Sequence, residues 1–217
     1  MKNKEFNYKI SSPNLPKKLD EFQFNSNIQD EQNFYEKTIC NCTIENQIAE
    51  HVNFKQIIFK NVTFKQVSFK FVDFTDVRFE NCDLSNVNFC EGIIHRTEII
   101  NCKLVGINLS ESSLQNVMID NSNCSYASFM FSYLKQVNFK ECLLLSSNFQ
   151  EANFNKVSFL HCNLQQAEMF GVKLKGIDFS NCDIEGIGVR IEDLYGAIVS
   201  PIQAVSLSKL LGVIVKL

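Results

Sequence analysis

The sequence predicts an all-β fold, a right-handed quadrilateral β-helix closed by a short C-terminal helix and strand cap. Three observations carry this: an unbroken five-residue period, a second column of small residues two positions earlier, and a set of cysteines spaced by multiples of twenty. Taking every fifth residue from Phe54 gives 29 consecutive positions, ending at Leu194, with no polar side chain. Phe54, Phe59, Phe64, Phe69, Phe74 and Phe79 open the series. A period of five fits neither a 3.6-residue helix nor a two-residue strand alternation. It fits a coil in which each five-residue unit makes one side and then turns a corner.

The second column begins Val52, Ile57, Val62, Val67, Val72 and Val77 and stays small or β-branched to Ile187. One large and one small inward residue per side let stacked layers interdigitate at native density. The residues between are mostly Asn, Ser, Lys, Asp, Glu and Gln, as a solvated outer surface requires. Cys82, Cys102, Cys142, Cys162 and Cys182 repeat by multiples of twenty, with Ser122 in the vacant place and Cys42 before them. Twenty residues is four units, so one coil has four sides. Asn81, Asn101, Asn121 and Asn181 precede this column, as turn residues would. The sides are named here by their central residues: Phe54, Phe59, Phe64 and Phe69.

Composition agrees. The 217 residues are 45% hydrophobic, with 20 Phe, no Trp, and only 8 Gly and 3 Pro. Hairpin turns would demand more Gly and Pro. The net charge of −3 argues against a nucleic-acid binder. No apolar run is long enough for a membrane span, and Met1 to Ile10 lacks the apolar stretch of a signal peptide. A cytoplasmic protein with free thiols is therefore expected. Only Cys40 and Cys90 fall at outward positions. The spacings offer no metal site, and the column cysteines read as small core residues.

Residues 1–38 lie outside the frame and form an N-terminal arm, in which Ser12-Pro13-Asn14-Leu15-Pro16 reads as extended backbone. The coils occupy 39–194, with a ragged start before the first secure coil near Val52. In the end module, 195–217, Ser200-Pro201 reads as a helix N-cap with proline at the first helical position. Gly212 stands where a C-terminal cap belongs, and Val213-Ile214-Val215 read as a short strand. An open solenoid end needs covering. Ile202, Val205, Leu210, Leu211, Val213, Ile214 and Val215 are the candidate interface of a two-fold homodimer.

Charge is unevenly distributed. On the Phe59 side, Glu80, Glu98, Asp120, Glu141 and Asp178 outnumber the bases. On the Phe69 side, Glu91, Glu111, Glu151 and Glu168 do. The Phe54 side is relatively basic. These nine carboxylates are the candidate partner-binding faces. A rod of seven coils is roughly 35 Å long, and duplex DNA of that length carries on the order of 20 negative charges. The protein falls well short of that density. Nothing catalytic is apparent: His51, His95 and His161 are scattered, and no phosphate loop, HExxH or GxSxG occurs. No enzymatic activity and no cofactor are expected.

The frame, with Phe or Leu at its centre and a small residue two before, resembles the pentapeptide-repeat family. Pro13-Asn14-Leu15-Pro16, Gly92-Ile93-Ile94-His95-Arg96, and Leu194 to Ala204 followed by Leu211-Gly212-Val213-Ile214 are similar to the quinolone-resistance (Qnr-like) branch of Gram-positive bacteria. The resemblance implies a rod-shaped dimer that binds DNA gyrase or topoisomerase IV as an acidic DNA mimic and protects the enzyme from quinolones or peptide toxins. Some members carry two loops interrupting the coils, and the unbroken frame predicts none here. A generic interaction scaffold or immunity protein with another partner is the alternative.

Overall fold

The computed structural model describes residues 8–23 and 27–216. It is a four-sided parallel β-solenoid. Strands β2 (Asn33–Cys40), β4 (Asn53–Lys60), β6 (Asp73–Glu80), β7 (Ile93–Ile100), β8 (Ser113–Asp120), β9 (Tyr133–Lys140) and β10 (Asn153–Leu160) stack in that order. Each residue pairs with the one twenty later: Phe34 with Phe54, Phe54 with Phe74, Val117 with Val137. This sheet forms the Phe54 and Phe59 sides. On the Phe64 and Phe69 sides, β3 (Thr43–Glu50) and β5 (Thr63–Lys70) make a two-stranded sheet. Beyond Leu84 those two sides become tight turns, such as Val87 N–H to Leu84 O at 3.3 Å and Ile107 N–H to Leu104 O at 3.1 Å. Isolated parallel bridges keep the twenty-residue register there.

The corners explain the scarcity of glycine. A left-handed backbone recurs every five residues from Glu31 to Gln166, and 27 of these residues are not glycine. Gly106 is the only glycine in that run. Such conformations each cost about 1–3 kcal/mol unless the surroundings over-determine them. Here both flanks of every corner are tied to neighbouring coils by main-chain hydrogen bonds. Asn tolerates this conformation best among non-glycine residues. Asn41, Asn61 and Asn81 form one amide ladder (2.8 and 3.2 Å), and Asn121 donates to Asn101 at 2.8 Å. Asn181 lies in the same column but does not adopt the left-handed conformation.

Both predicted columns point inward. All of the five-residue frame is buried except Phe154 and Leu194, which are partly buried. Rings twenty residues apart stack: Phe59 on Phe79 at 4.8 Å and 6°, Phe129 on Phe149 at 4.7 Å and 3°. Rings on adjacent sides meet edge to face, as Phe74 does with Phe79 at 5.4 Å and 85°. Such pairs add about 0.5–1.5 kcal/mol each beyond burial. In the small column, the Cys82 thiol donates to Glu80 O (3.4 Å) and the Cys142 thiol to Ile119 O (3.3 Å). Ser122 replaces cysteine by donating to Asp120 O at 2.8 Å and accepting from Cys102 N–H at 3.0 Å. The buried polar atoms at this column are thus satisfied whichever residue fills it.

The coils extend past both expected boundaries. Ile28 and Phe34 are already buried, and β2 begins at Asn33, so the frame starts inside the stretch assigned to the arm. Ile39, Ile44 and Ala49 are buried in regular strands rather than a ragged coil. At the other end, Ile198 still bridges Asp178, four residues beyond Leu194. Weak sequence signal at the edges reflects end coils that need fewer large inward residues, because they have a neighbour on one side only.

Residues 8–16 run extended along the corner between the Phe54 and Phe59 sides. Asn138 and Gln136 donate to Tyr8 O (3.2 Å) and Lys9 O (3.1 Å). Ser11 N–H reaches Asn116 (3.2 Å), Asn14 N–H reaches Asp76 (2.8 Å), and Gln56 donates to Asn14 O (2.8 Å). The short strand β1 (Asp20–Glu21) then pairs with Lys37 and Thr38. The arm is a strap down one edge of the rod, held through its main chain.

Candidate partner-binding faces and end module

The twenty-residue register decides which carboxylates remain free. Charges one coil apart on the same side are neighbours, and on the Phe59 side they are of opposite sign. Glu98 is only 7% exposed and is gripped by Arg78 at 2.8 Å. Glu80 meets Arg78 (3.6 Å) and Lys60 (3.8 Å). Lys140 lies 3.3 Å from Asp120 and 3.6 Å from Glu141, and these carboxylates raise the Lys140 pKa. Asp178 is half-buried and accepts from Ser180 N–H at 2.9 Å. The candidate acidic residues of this side are therefore largely neutralised.

The Phe69 side differs. Glu91, Glu111, Glu151 and Glu168 are all exposed. Glu91, Glu111 and Glu151 occupy the same corner column, with φ of 59°, 59° and 53°. Left-handed corners aim their side chains outward, so these carboxylates stand along one edge, Glu91 and Glu111 one coil apart and Glu151 two coils further, at about 4.8 Å per coil. Among the described residues, only Glu151 of the four has an ion pair, with Arg190 at 3.0 Å. Glu168 accepts from the Gln150 amide. Gly171 sits one coil beyond Glu151, where an added Cβ would collide with the carboxylate.

The strongest charge pair belongs to no predicted site. Asp76 is 3% exposed and takes two bonds from Arg96 (2.6 and 2.7 Å) and a third from Asn14 N–H. Burial alone would raise its pKa. The bonds from Arg96 and the Asn14 amide outweigh that and hold it below the ordinary carboxylate value. His95 lies 3.2 Å from Arg96, and burial and that charge lower its pKa. Asp76 and Arg96 lie one coil apart, so the twenty-residue spacing of opposite charges was a usable signal.

The end module contains helix α1 (Pro201–Ser208). Ser200 caps it: Ser200 N–H donates to the Gln203 side chain at 2.7 Å, and Gln203 N–H returns a 3.3 Å bond to the Ser200 hydroxyl. Gln203 also donates to Phe179 O (2.8 Å) and Cys182 O (2.7 Å), closing carbonyls the next coil would have taken. A 3-10 turn, Lys209–Leu211, follows, and Gly212 ends it at φ 75°. Residues 213–216 are not a strand, contrary to expectation. A strand needs a paired edge, and these residues have none among the described ones. All seven candidate interface residues are exposed, Ile202 at 81% and Ile214 at 86%. An apolar cleft of about 290 Å³, lined by Ile191, Leu194, Val199, Leu207 and Leu210 among others, opens beside them.

The thiols are all free. Those of Cys82, Cys142, Cys162 and Cys182 are raised, Cys162 to about 12, by hydrogen bonding to neighbouring thiols together with burial. Buried neutral thiols of this kind are inert. Among the described residues no group of three His, Cys, Asp or Glu side chains is placed to hold a metal, and no helix is long and apolar enough to cross a membrane.

Profiles of the pentapeptide repeat region match residues 72–149 and 132–189, and one of eight pentapeptide repeats matches 50–89. These matches cover more than half of the chain, which belongs to the pentapeptide-repeat family. An uncharacterized protein of Bacillus subtilis (strain 168), YisX, is 33% identical over 132 residues, spanning 58% of this chain and 60% of that protein. The match thus takes in less than two thirds of the relative. Among solved structures, QnrB1, a plasmid-mediated fluoroquinolone resistance protein, aligns with 19% identity and a TM-score of 0.41, covering 92% of this chain and 100% of that one. HetL, a pentapeptide repeat protein involved in heterocyst differentiation regulation from Nostoc sp. strain PCC 7120, aligns with 14% identity and a TM-score of 0.40, covering 78% and 92%. Neither likeness bears on function.

Proposed function

We propose that this protein is a non-enzymatic, rod-shaped binder of a type II topoisomerase, DNA gyrase or topoisomerase IV, and that it modulates the enzyme or protects it from quinolones or toxins. The observation that supports this most is the exposed Glu91, Glu111 and Glu151 column on one edge of the rod. Carboxylates along one edge of the rod suit a groove built for a phosphate backbone, and steer encounter with a basic surface. The end motifs from Leu194 to Ile214 point the same way by resemblance. The apolar residues of the end module would join two rods into a homodimer working in the cytoplasm.

The reading narrows the candidate faces. The Phe59 side is neutralised by its own lysines and arginines, and the strap covers the adjoining corner. The Phe69 side is the remaining acidic surface. With a net charge of −3, mimicry cannot rest on charge density, so shape and particular contacts must supply most of the affinity.

A supercoiling assay of gyrase with the purified protein, with and without ciprofloxacin, tests the proposal. Dose-dependent loss of supercoiling, or rescue from the drug, supports it. No effect at large excess over gyrase, repeated with topoisomerase IV, sinks it and leaves an interaction scaffold with a different partner as the better account.

A further inference from the structure

The stretch from Cys124 to Leu134 carries large apolar side chains that folding does not need. Its inward positions are already filled by Cys124, Ala127, Phe129, Ser132 and Leu134, all buried. Yet Tyr126 is 61% and Phe131 57% exposed, at the two corners that bound the Phe69 side, and Tyr133 and Leu143 are exposed beside them. The main-chain bonds fix what is adjacent. Tyr126 N–H bonds Leu145 O (2.9 Å), setting Tyr126 against the next coil's Leu143 to Leu145 stretch. Glu111 N–H bonds Met130 O (2.8 Å), and Phe131 N–H bonds Gln150 O (3.0 Å). Phe131 therefore stands between Glu111 and Glu151 in one corner column.

The exposed apolar pair is thus flanked by carboxylates along one edge. Solitary exposed apolar residues are ordinary on protein surfaces, whereas a contiguous exposed patch marks an interaction site. Protein interfaces concentrate their energy in aromatic residues at the middle, with charges at the edge setting register and encounter rate. The flanking carboxylates decide the occupant: Glu111 has no ion pair among the described residues, and Glu151 has only the exposed Arg190.

We propose that Tyr126 and Phe131 anchor the partner interface of this protein, docking into an apolar pocket ringed by arginine or lysine on a protein. This rests on the reading that the Phe69 side binds a type II topoisomerase, and adds that aromatic insertion rather than carboxylate count holds the complex. The carboxylates serve approach and the aromatics serve residence.

The test is the affinity of intact gyrase and topoisomerase IV, by biolayer interferometry, for the full chain and three variants. Tyr126→Ala/Phe131→Ala should bind about 30-fold more weakly, mainly through faster dissociation. Glu111→Gln should chiefly slow association and flatten its salt dependence. Tyr35→Ala, which removes an exposed tyrosine in the first coil at the N-terminal end of the rod, should bind as the parent does. Unchanged circular dichroism and thermal midpoint would confirm that each variant folds. If the parent binds and the double variant binds equally well, or Tyr35→Ala loses as much, the anchor is overturned while the topoisomerase reading stands. If the parent binds neither enzyme, that reading fails and the anchor with it.

Discussion

The coils and the end module use apolar residues in opposite ways. In the coils nearly every frame residue is buried, each stacked ring supported by another one coil away. In α1 no residue is fully buried: Leu207 packs only partly buried against the core, and the Ser200 capping box and the two Gln203 bonds hold the helix to the last coil. A repeat supplies its neighbour's partner, so burial is automatic within the array and fails only where the array stops. The surplus apolar surface at the C-terminal end is thus left uncovered by the solenoid's own coils.

Substitutions sharpen this contrast. Phe149→Ala removes a ring that stacks on Phe129 and meets Phe139, Phe154 and Phe159 edge to face or nearly so. It should cost about 3–5 kcal/mol, read as a lower urea midpoint for the whole chain. A loss confined to local fraying would break the picture of a cooperative rod.

Asp76→Ala comes next. It leaves Arg96 and the Asn14 amide without their acceptor and should cost about 2 kcal/mol, with faster proteolysis within residues 8–16. The sign of its pH dependence follows from a carboxyl held below its unfolded-state pKa. Its contribution is complete above the unfolded value and is lost as pH falls through the folded one. The parent should therefore lose stability on acidification more steeply than the variant, and parallel curves would refute this role of Asp76.

Ser200→Ala should cost about 1 kcal/mol, felt in the helix alone and visible as faster hydrogen exchange at Gln203 and Ala204. The smallest effect on folding is expected of Leu210→Lys/Leu211→Lys, within about 0.5 kcal/mol because both side chains are exposed. Light scattering should nevertheless report a monomer in place of a dimer. An unchanged mass would remove the end module as the interface.

Much of the rod could be read directly from residue spacing. The frame from Phe54 to Leu194, the twenty-residue coil and the turn asparagines are one-dimensional facts, because in a solenoid each residue's neighbours lie at a fixed offset. That offset also contained the pairing of Arg78 with Glu98 and of Asp76 with Arg96, though grouping charges by side did not reveal it. Glu98 was a candidate for a binding face and proved to be a buried ion-pair member. The strap's path was not legible, since the arm is held by main-chain atoms that leave no residue preference. Nor was the coiled state of Val213 to Val215, whose strand-like composition finds no edge to pair with among the described residues.

The sequence by itself determined the period, the number of sides, the inward columns and the capped terminal helix, because each follows from local offsets and side-chain chemistry. Only the tertiary structure decided which carboxylates remain free, where the arm lies and which aromatics stay outside. Those outcomes depend on contacts between coils and on the filling of a core whose places had already been taken.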